Sequence, residues 1–494
     1  MDLFKEIIFG TSDTIESKLI AKAEKNGKLR KITSRLYTTN MVDSLENIVK
    51  RHLIDIIAWR LPGAIISHRS AVTLRPTEKG NVYITYTFNK RIDNIPGIIL
   101  NVSKGHGPIG SDIKFGDSNV YASSEYRWFL EIMQKSRTST DGDNRSFSQD
   151  FVEKRLDAMI TAGGMEKINA FRDNVRRVSI ELDMKSEFEK LNKIISALLS
   201  THDSNVLRST IGKRRSAGFP IDPNRTELFQ ILYDHLNSMY FKSLEDTNKT
   251  EESFRMFGFF ESYFSNYIEG TEFSIEEAKK IVDTGIAIPK RTADSHDILG
   301  AFRLTSSRFE MNLVPQTEED LLNILRHRHA ILMEGRPECH PGEFKKIPNR
   351  AGNTEFVDPT LVVGTLRHAF KMYCSLKEPF AKAVFMMFVC SEIHPFTDGN
   401  GRVSRLMMNA ELVHAGQFRI IVPTAYREDY IIALRKLSRN KQPDTYVDVM
   451  SRLHKFSSNL FGEDFNSLND YLKECNAYEK PEISRFKFID RIGG

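Results

Sequence analysis

The chain has 494 residues, of which 40% are hydrophobic, 27% charged and 10% aromatic, and these fractions exclude collagen-like, low-complexity and wholly disordered proteins. Its 70 Lys and Arg nearly balance its 65 Asp and Glu, leaving a net charge of +5, so only a local basic cluster would argue for nucleic-acid binding. The length suggests about three domains, and the modest content of Gly and Pro favours a mainly helical fold.

The four cysteines indicate a reducing compartment. They are too few for a disulfide framework and include no C-x-x-C pair. The first ten residues lack a signal-peptide pattern, and no uncharged apolar run approaches the roughly 20 residues of a membrane span. We therefore expect a cytoplasmic protein that does not enter a membrane. The oligomeric state stays open, with a homodimer as one alternative.

Residues 1–135 have a mixed α and β pattern. The spacing of apolar residues predicts helices over 13–24 and 44–59, and strands over 36–39, 81–88 and 97–102. A cluster of basic side chains follows the first helix, with seven basic residues and one acid between positions 18 and 35. A helix, a turn and a basic hairpin are typical of a winged helix.

Two stretches of this region, LRKITSRLYTTN and GAIISHRSAV, resemble the N-terminal part of winged-helix abortive-infection antitoxins, which bind promoter DNA. The resemblance implies DNA contact through residues 18–35. The alternative is a solvated basic face, which is common on surface helices.

The rest of the chain is predicted to be helical. A polar stretch over 136–150 is interpreted as a linker, a helical connecting region covers 150–245, and a helical domain covers 251–461 apart from a segment rich in Pro, Gly and Asn near 340–360. Residues 462–494 are interpreted as a C-terminal tail.

The most informative segment is H-P-F-T-D-G-N-G-R-V-S-R, residues 394–405. The helix predicted before it, 379–393, is apolar on almost every face and therefore belongs at the centre of a domain. A turn with two glycines follows, and a second helix is predicted over 403–415. Glycines at the start of a helix form a site for phosphate.

Charged side chains around this turn fit a polyphosphate ligand. Arg402 and Arg405 lie on one face of the first helical turn, and the carboxylate of Asp398 suits Mg²⁺ bound to phosphate. His394, between the first helix and the loop, is placed as a general base for an incoming hydroxyl.

The segment also matches at every specified position the signature of the Fic family, H-P-F-x-[DN]-G-N-G-R-x-x-R, so the chain resembles that family. The resemblance implies a mainly α Fic domain with a small β-hairpin flap, beside an α/β, winged-helix-like N-terminal module. It also implies roles for the motif residues: catalytic base for His394, an apolar loop anchor for Phe396, an Mg²⁺ ligand for Asp398, an anion hole for Gly399, Asn400 and Gly401, and phosphate binding for Arg402 and Arg405.

Gly401 bears on the type of reaction, because relatives that phosphorylate carry Lys at this position. The resemblance therefore implies transfer of AMP from ATP, with Mg²⁺, to a Ser, Thr or Tyr hydroxyl of a protein target, including the enzyme itself. Two alternatives stay open. One is removal of AMP or another phosphodiester transfer, and the other is a DNA-binding regulator of toxin–antitoxin or phage-defence type with an accessory Fic activity.

Two further segments resemble parts of Fic proteins. Residues 340–359 resemble the flap that aligns a target by strand addition, with Phe356 and Val357 as candidates to cover the site or, alternatively, as ordinary hairpin core. Residues 265–270, SNYIEG, fit the inhibitory motif [ST]-x-x-x-E-[GN]. The resemblance implies an inhibitory helix over about 254–269, in which Ser265, Glu269 and Gly270 form the motif and Glu269 reaches Arg405.

The segment REDYIIALRKLSRN resembles the family's adenine-binding region only in part. Tyr430 fits the first Tyr of a pair, whereas Ile431 stands at the second position and Ser438 stands where an Asn is expected. These departures leave UTP and GTP open as alternative donors.

Overall fold

The computed structural model describes residues 5–88, 95–134, 143–352 and 354–491. These residues are mostly helical with small sheets, as the sequence predicts. The chain divides into two compact units, Met1–Ala217 and Gly218–Gly494, whereas the four-part division expected from the sequence stays a prediction. Much of the predicted linker, 136–142, lies outside the described residues. Within the described ranges, no helix is both long and apolar enough to cross a bilayer.

Unit 1, Met1–Ala217, combines two small sheets with eight helices among its described residues. The strands are β1 (Ile7–Phe9), β2 (Arg30–Thr33), β3 (Leu36–Thr38), β4 (Ala64–Ile66), β5 (Asn81–Tyr86), β6 (Ile99–Lys104), β7 (Ile113–Lys114) and β8 (Val120–Ala122). The helices are α1 (Thr14–Lys25), α2 (Leu45–Arg51), α3 (Leu53–Arg60), α4 (His68–Thr73), α5 (Glu125–Met133), α6 (Gln149–Glu181), α7 (Lys185–Leu198) and α8 (Thr210–Ser216). The antiparallel sheet has the order β1-β3-β2, and the mixed sheet has the order β6-β5-β4-β8-β7.

Two elements of unit 1 differ from the sequence prediction. The helix predicted over 44–59 is broken at His52, whose backbone leaves the helical region (φ −105°, ψ 25°) and whose ring contacts the carboxylates of Glu6 and Asp55. The strand predicted over 97–102 begins at Ile99, because Gly97 has φ +74° and forms a turn.

Unit 2, Gly218–Gly494, is almost entirely helical. Its helices are α9 (Pro223–Asn237), α10 (Glu251–Ile268), α11 (Ile275–Thr284), α12 (Thr292–Thr305), α13 (Arg308–Asn312), α14 (Glu318–Leu332), α15 (Val362–Ser375), α16 (Pro379–Ile393), α17 (Asn400–His414), α18 (Arg427–Asn440), α19 (Asp444–Ser457) and α20 (Phe465–Glu474). Two short antiparallel strands, β9 (Arg350–Ala351) and β10 (Thr354–Glu355), form the hairpin within the segment predicted as a flap.

Helix α16 lies in the main hydrophobic core of unit 2 and is buried on nearly every face, as its apolar composition predicts. The chain leaves it at His394 and re-enters a helix at Asn400, three residues earlier than predicted. The earlier start follows from Gly399, whose left-handed backbone (φ +75°) makes it the residue that precedes the helix. The six-residue loop between α16 and α17 therefore holds the first half of the motif, and α17 holds the second half.

Candidate active site

His394 is the first residue after α16 and is held in a left-handed conformation, with φ 53°. Its Nδ1 lies 3.0 Å from the carbonyl oxygen of Ser391. A carbonyl only accepts hydrogen bonds, so Nδ1 carries the proton and Nε2 keeps a lone pair. Burial lowers the pKa of His394 from 6.5 to about 4, which keeps the imidazole neutral near pH 7.

The loop after His394 is anchored by Phe396 and Asn400, both buried. The Asn400 side chain closes the loop on itself, because its Oδ1 accepts from the Phe396 N–H and its Nδ2 donates to the Phe396 carbonyl, each at 2.8 Å. The Phe396 ring stacks on His329 of α14, with ring centroids 3.8 Å apart. The loop is therefore held by its own hydrogen bonds and by the stacking of Phe396 on α14.

His329 is a structural part of the site that sequence reasoning missed. Its Nδ1 accepts from the Gly342 N–H at 2.9 Å, and its Nε2 donates to the Asp398 carbonyl at 3.1 Å. Burial lowers its pKa to about 4, so the ring stays neutral and makes both bonds at once. His329 thus ties α14 to the loop.

Asp398 is exposed at the end of the loop. One carboxylate oxygen, Oδ1, accepts from the Gly399 N–H at 2.7 Å, which orients the side chain beside the start of α17. Among the described residues, no group of three His, Cys, Asp or Glu side chains is placed to hold a metal ion. Any cation at Asp398 would therefore need further ligands from a bound molecule.

The N-terminus of α17 carries the backbone groups that an anion site needs. No side chain caps it, so the first N–H groups of the helix are left without intrahelical partners. Asn400 and Gly401 supply two of these groups, Arg402 lies in the same first turn, and Arg405 follows in the second turn. The positive end of the helix dipole adds to the two guanidinium charges.

Arg405 is buried and forms an ion pair with Glu269, which follows α10 directly. Its Nη2 lies 2.7 Å from Glu269 Oε1. Two further bonds go to Ser265, from Nε to the hydroxyl at 3.0 Å and from Nη2 to the carbonyl at 2.8 Å. The next residue, Gly270, has φ +93°, a conformation that favours glycine. The structure therefore brings two residues of the predicted inhibitory motif, Ser265 and Glu269, to Arg405, and Gly270 follows them in the chain.

Glu269 also lies directly over Gly401. A Cβ atom built on Gly401 would come within 2.1 Å of Glu269 Oε1, far closer than real Cβ contacts. The side-chain position of Glu269 thus depends on the absence of a side chain at position 401.

Arg402 points to a different partner. Its Nη1 lies 3.0 Å from Oδ2 of Asp297, a residue of α12 that is 1% exposed. The same carboxylate binds Arg336, with Nη2 2.7 Å from Oδ2. Asp297 is therefore shared by two guanidinium groups, and its single negative charge offsets only part of the positive charge of Arg402 and Arg336.

The two flap candidates take different positions. The ring of Phe356 stacks on the His394 imidazole, with centroids 3.6 Å apart and planes 6° apart, so Phe356 covers one face of that ring. Val357 is fully buried in the main core of unit 2 and does not face the site. Lys345 lies behind the flap residue, with Nζ 6.0 Å from the Phe356 ring, and burial lowers its pKa to about 8.

A cavity of about 260 Å³ joins these groups. Its wall includes His394, Gly401 and Arg405 together with Glu269. A second part of the wall comes from α18 and α16, namely Tyr430, Ile431, Leu434, Ser438 and Glu392. Six of the predicted site residues line the cavity: Glu269, Phe356, His394, Gly401, Arg405 and Tyr430. The others do not line it: Ser265, Gly270, Val357, Asp398, Gly399, Asn400 and Arg402.

A sequence model of the Fic/DOC family matches residues 318–412 of this chain, a range that includes α14 to α17 and the whole motif. Residues 318–412 form a Fic/DOC domain. The glycine turn, its anchoring residues and His394 are thus the motif of a Fic domain.

Relatives extend the similarity beyond this domain. The chain is 28% identical over 172 residues to "Protein adenylyltransferase Fic" of Drosophila virilis, covering 34% of this chain and 35% of that protein. It is 29% identical over 173 residues to the protein of the same name from Drosophila willistoni, covering 34% of each. The chain therefore spans about a third of the length of these relatives.

Among solved structures, Fic-1 (aa134 - 508) from C. elegans is similar over 66% of this chain and 98% of that chain, at 16% identity and a TM-score of 0.36. The evidence for the Fic domain is therefore the family match over residues 318–412 together with the motif.

Proposed function

We propose that this protein transfers AMP from ATP to a hydroxyl group of a protein side chain, its own side chains included. The observation that carries the proposal is the setting of His394. Its Nδ1 donates to Ser391, its Nε2 is left as a proton acceptor, and its ring lines the same cavity as Gly401 and Arg405. The names of the relatives support the same activity.

The proposed reaction uses the groups of the cavity in order. His394 Nε2 takes the proton of a Ser, Thr or Tyr hydroxyl, and the oxygen attacks the α-phosphorus of ATP. An oxygen–phosphorus bond forms while the bond from that phosphorus to pyrophosphate breaks, so the products are a protein–AMP phosphodiester and pyrophosphate. The N–H groups of α17 and the guanidinium of Arg405 stabilise the charge that develops on the phosphates.

Asp398 fits the Mg²⁺ that such a reaction uses. Mg²⁺ is bound in proteins by one or two carboxylates together with substrate phosphates and waters, and Asp398 offers one exposed carboxylate beside the proposed phosphate site. When bound there, Mg²⁺ would offset negative charge on the phosphates. Because the described residues contain no group of three acidic, His or Cys side chains placed to hold a metal ion, we expect Mg²⁺ affinity to depend on the nucleotide.

We also propose that Glu269 keeps the enzyme inactive. Its carboxylate takes the Arg405 donor that a phosphate would otherwise use, and it fills the space over Gly401. ATP would then bind with its phosphates displaced from the position that attack requires.

The test is mass spectrometry of purified protein after incubation with ATP and Mg²⁺. The Glu269→Gly protein is expected to gain AMP on its own hydroxyl side chains at least about tenfold faster than the unaltered protein. Adding His394→Ala is expected to abolish the gain. Glu272→Gly is the matched control, because Glu272 lies three residues further along the same segment and pairs with Lys480 at the surface.

Equal modification of the unaltered and Glu269→Gly proteins would refute inhibition by Glu269. Modification that survives His394→Ala would refute the proposed base. Loss of AMP from a target labelled beforehand would instead favour AMP removal as the reaction.

A second candidate function, DNA contact by unit 1, is favoured by the exposure of its basic cluster. Six of the seven predicted residues have exposed side chains: Lys18, Lys22, Lys25, Lys28, Lys31 and Arg35. They lie along α1 and the β2–β3 hairpin. Arg30 is the exception, because its guanidinium donates to the carbonyl of Asp43.

A further inference from the structure

The side chains that line the cavity change from polar to apolar and back to polar along α18. Tyr430, at one end, lies beside the guanidinium of Arg405. Ser438 lies eight residues further along the helix, a distance of about 12 Å at 1.5 Å per residue. Between them Ile431 and Leu434 give apolar walls. Phosphates belong at the Arg405 end, so the Ser438 end is where a nucleobase would lie.

The polar group at that end is the carboxylate of Glu392, in the last turn of α16. The residue is only 6% exposed, yet it forms part of the cavity wall. Buried carboxylates are costly unless their oxygens are paired. The Glu392 carboxylate therefore needs hydrogen-bond or ion-pair partners. The position of these partners determines which carboxylate oxygen is left to accept a hydrogen bond from a ligand.

Both partners of Glu392 lie on one of its oxygens. Arg225 of α9 places Nη1 3.1 Å from Oε2, and the Ser438 hydroxyl donates to the same oxygen at 3.1 Å. Among the described residues no donor bonds to Oε1, and this oxygen is not among the fully buried atoms without a partner. Oε1 is thus an acceptor left for the cavity.

We infer that Glu392 selects the nucleobase by accepting a hydrogen bond from the amino group of adenine through Oε1. This inference rests on the proposed use of a nucleoside triphosphate. A nucleobase with a carbonyl oxygen in place of the adenine amino group would place that oxygen against Oε1, and both atoms are acceptors. A buried site built to accept a hydrogen bond rejects such an analogue strongly.

The contacts of Glu392 also predict how a conservative variant behaves. In Glu392→Gln the amide has one oxygen and one NH₂ group. Arg225 and Ser438 are both donors toward the Oε2 position, so they would hold the amide oxygen there. The NH₂ group would then face the cavity and convert the acceptor into a donor.

The experiment compares ATP with inosine triphosphate, which carries a carbonyl oxygen in place of the adenine amino group. Binding of each to the full-length Glu269→Gly protein is measured by calorimetry with Mg²⁺. We expect ATP to bind at least about tenfold more tightly than inosine triphosphate. Addition of Glu392→Gln should bring the two affinities to within about threefold or reverse their order.

Ser438→Ala in the same background is the matched control. It removes one donor to Oε2 but leaves Arg225 and the free Oε1, so the preference for ATP should persist. Thermal unfolding of each variant checks that the fold is intact.

The outcomes separate this inference from the proposed function. Equal affinities in the Glu269→Gly protein, or a preference for ATP that Glu392→Gln leaves unchanged, would overturn the role of Glu392 while leaving nucleotide binding in place. If neither nucleotide binds, the proposed function fails and the inference fails with it.

Discussion

His394 combines a fixed tautomer with an unusually low pKa. The hydrogen bond to Ser391 fixes which nitrogen carries the proton, and burial lowers the pKa to about 4. The protonated form of the ring therefore becomes abundant only in strongly acidic solution, because a lowered pKa shifts protonation to lower pH.

This property predicts the pH dependence of transfer. We expect the rate of the Glu269→Gly protein at saturating ATP to stay nearly constant from pH 8 down to about pH 5.5 and to fall to half only near pH 4. Initial rates of AMP incorporation over that range provide the measurement. A fall to half near pH 6.5, the usual pKa of His, would contradict the burial described for this ring.

How far the sequence predicts the site depends on where the partners of a residue lie. The twelve motif residues are contiguous, so their spacing alone indicates a loop, a helix start and two guanidinium groups. His329 lies 69 residues from its partner Asp398, and Asp297 and Glu392 depend on similarly distant arginines. Local spacing carries no signal for such contacts, and only the fold brings them together.

At the scale of elements, the segment that follows the β9–β10 hairpin contacts the His394 ring through one aromatic side chain. Phe356 covers one face of the His394 ring, and Arg225 and Arg439 hold the adjacent strand β10 by bonds to the Glu355 carbonyl and the Thr354 hydroxyl. The hairpin itself has only two residues in each strand. These side-chain contacts therefore help to fix where Phe356 lies.

Phe356→Ala should expose the imidazole to water and move the pKa of His394 upward toward 6.5. In the Glu269→Gly background we expect the ratio of the rate at pH 5.5 to the rate at pH 8 to fall several-fold. Val357→Ala is the control, because Val357 lies in the same segment but is buried in the core. The same ratio in both variants would show that Phe356 does not shield His394.

Helix type was easier to predict than helix ends. The nearly continuous apolar composition of α16 indicates a central helix, because a helix buried on almost every face is apolar all round. The start of α17 and the break between α2 and α3 escaped prediction, since each depends on one residue, Gly399 or His52, whose backbone conformation follows from its tertiary contacts. The inhibitory helix predicted over about 254–269 is α10, Glu251–Ile268, with Glu269 as the residue after it.

At the scale of the whole molecule, the net charge of +5 does not show that basic side chains are paired with carboxylates in one place and exposed in another. In unit 2 each of the two motif arginines forms an ion pair with a carboxylate. In unit 1 the lysines along α1 and the hairpin are exposed. Overall charge is therefore a poor guide to either function, and the basic face of unit 1 needs its own test.

If this face binds DNA, the affinity of the full-length protein for duplex DNA should fall steeply as salt rises from about 50 to 200 mM. Replacing Lys22 and Lys25 by Glu should weaken binding and reduce the salt dependence. The control replaces Lys185 and Lys193, which are exposed on α7, with the same change in net charge. Equal loss in both double variants, measured by filter binding, would assign any affinity to overall charge alone.

The space above Gly401 has an evolutionary consequence. The carboxylate of Glu269 occupies the volume that a Cβ atom at 401 would fill, so a larger residue at 401 would force the Glu269 side chain to move. The resemblance to the Fic family implies that Lys at the same position accompanies phosphorylation. A lineage that exchanged this glycine for a larger residue would therefore disturb the ion pair between Glu269 and Arg405 in the same mutational step. The residue at 401 and the position of Glu269 are thus tied together in evolution.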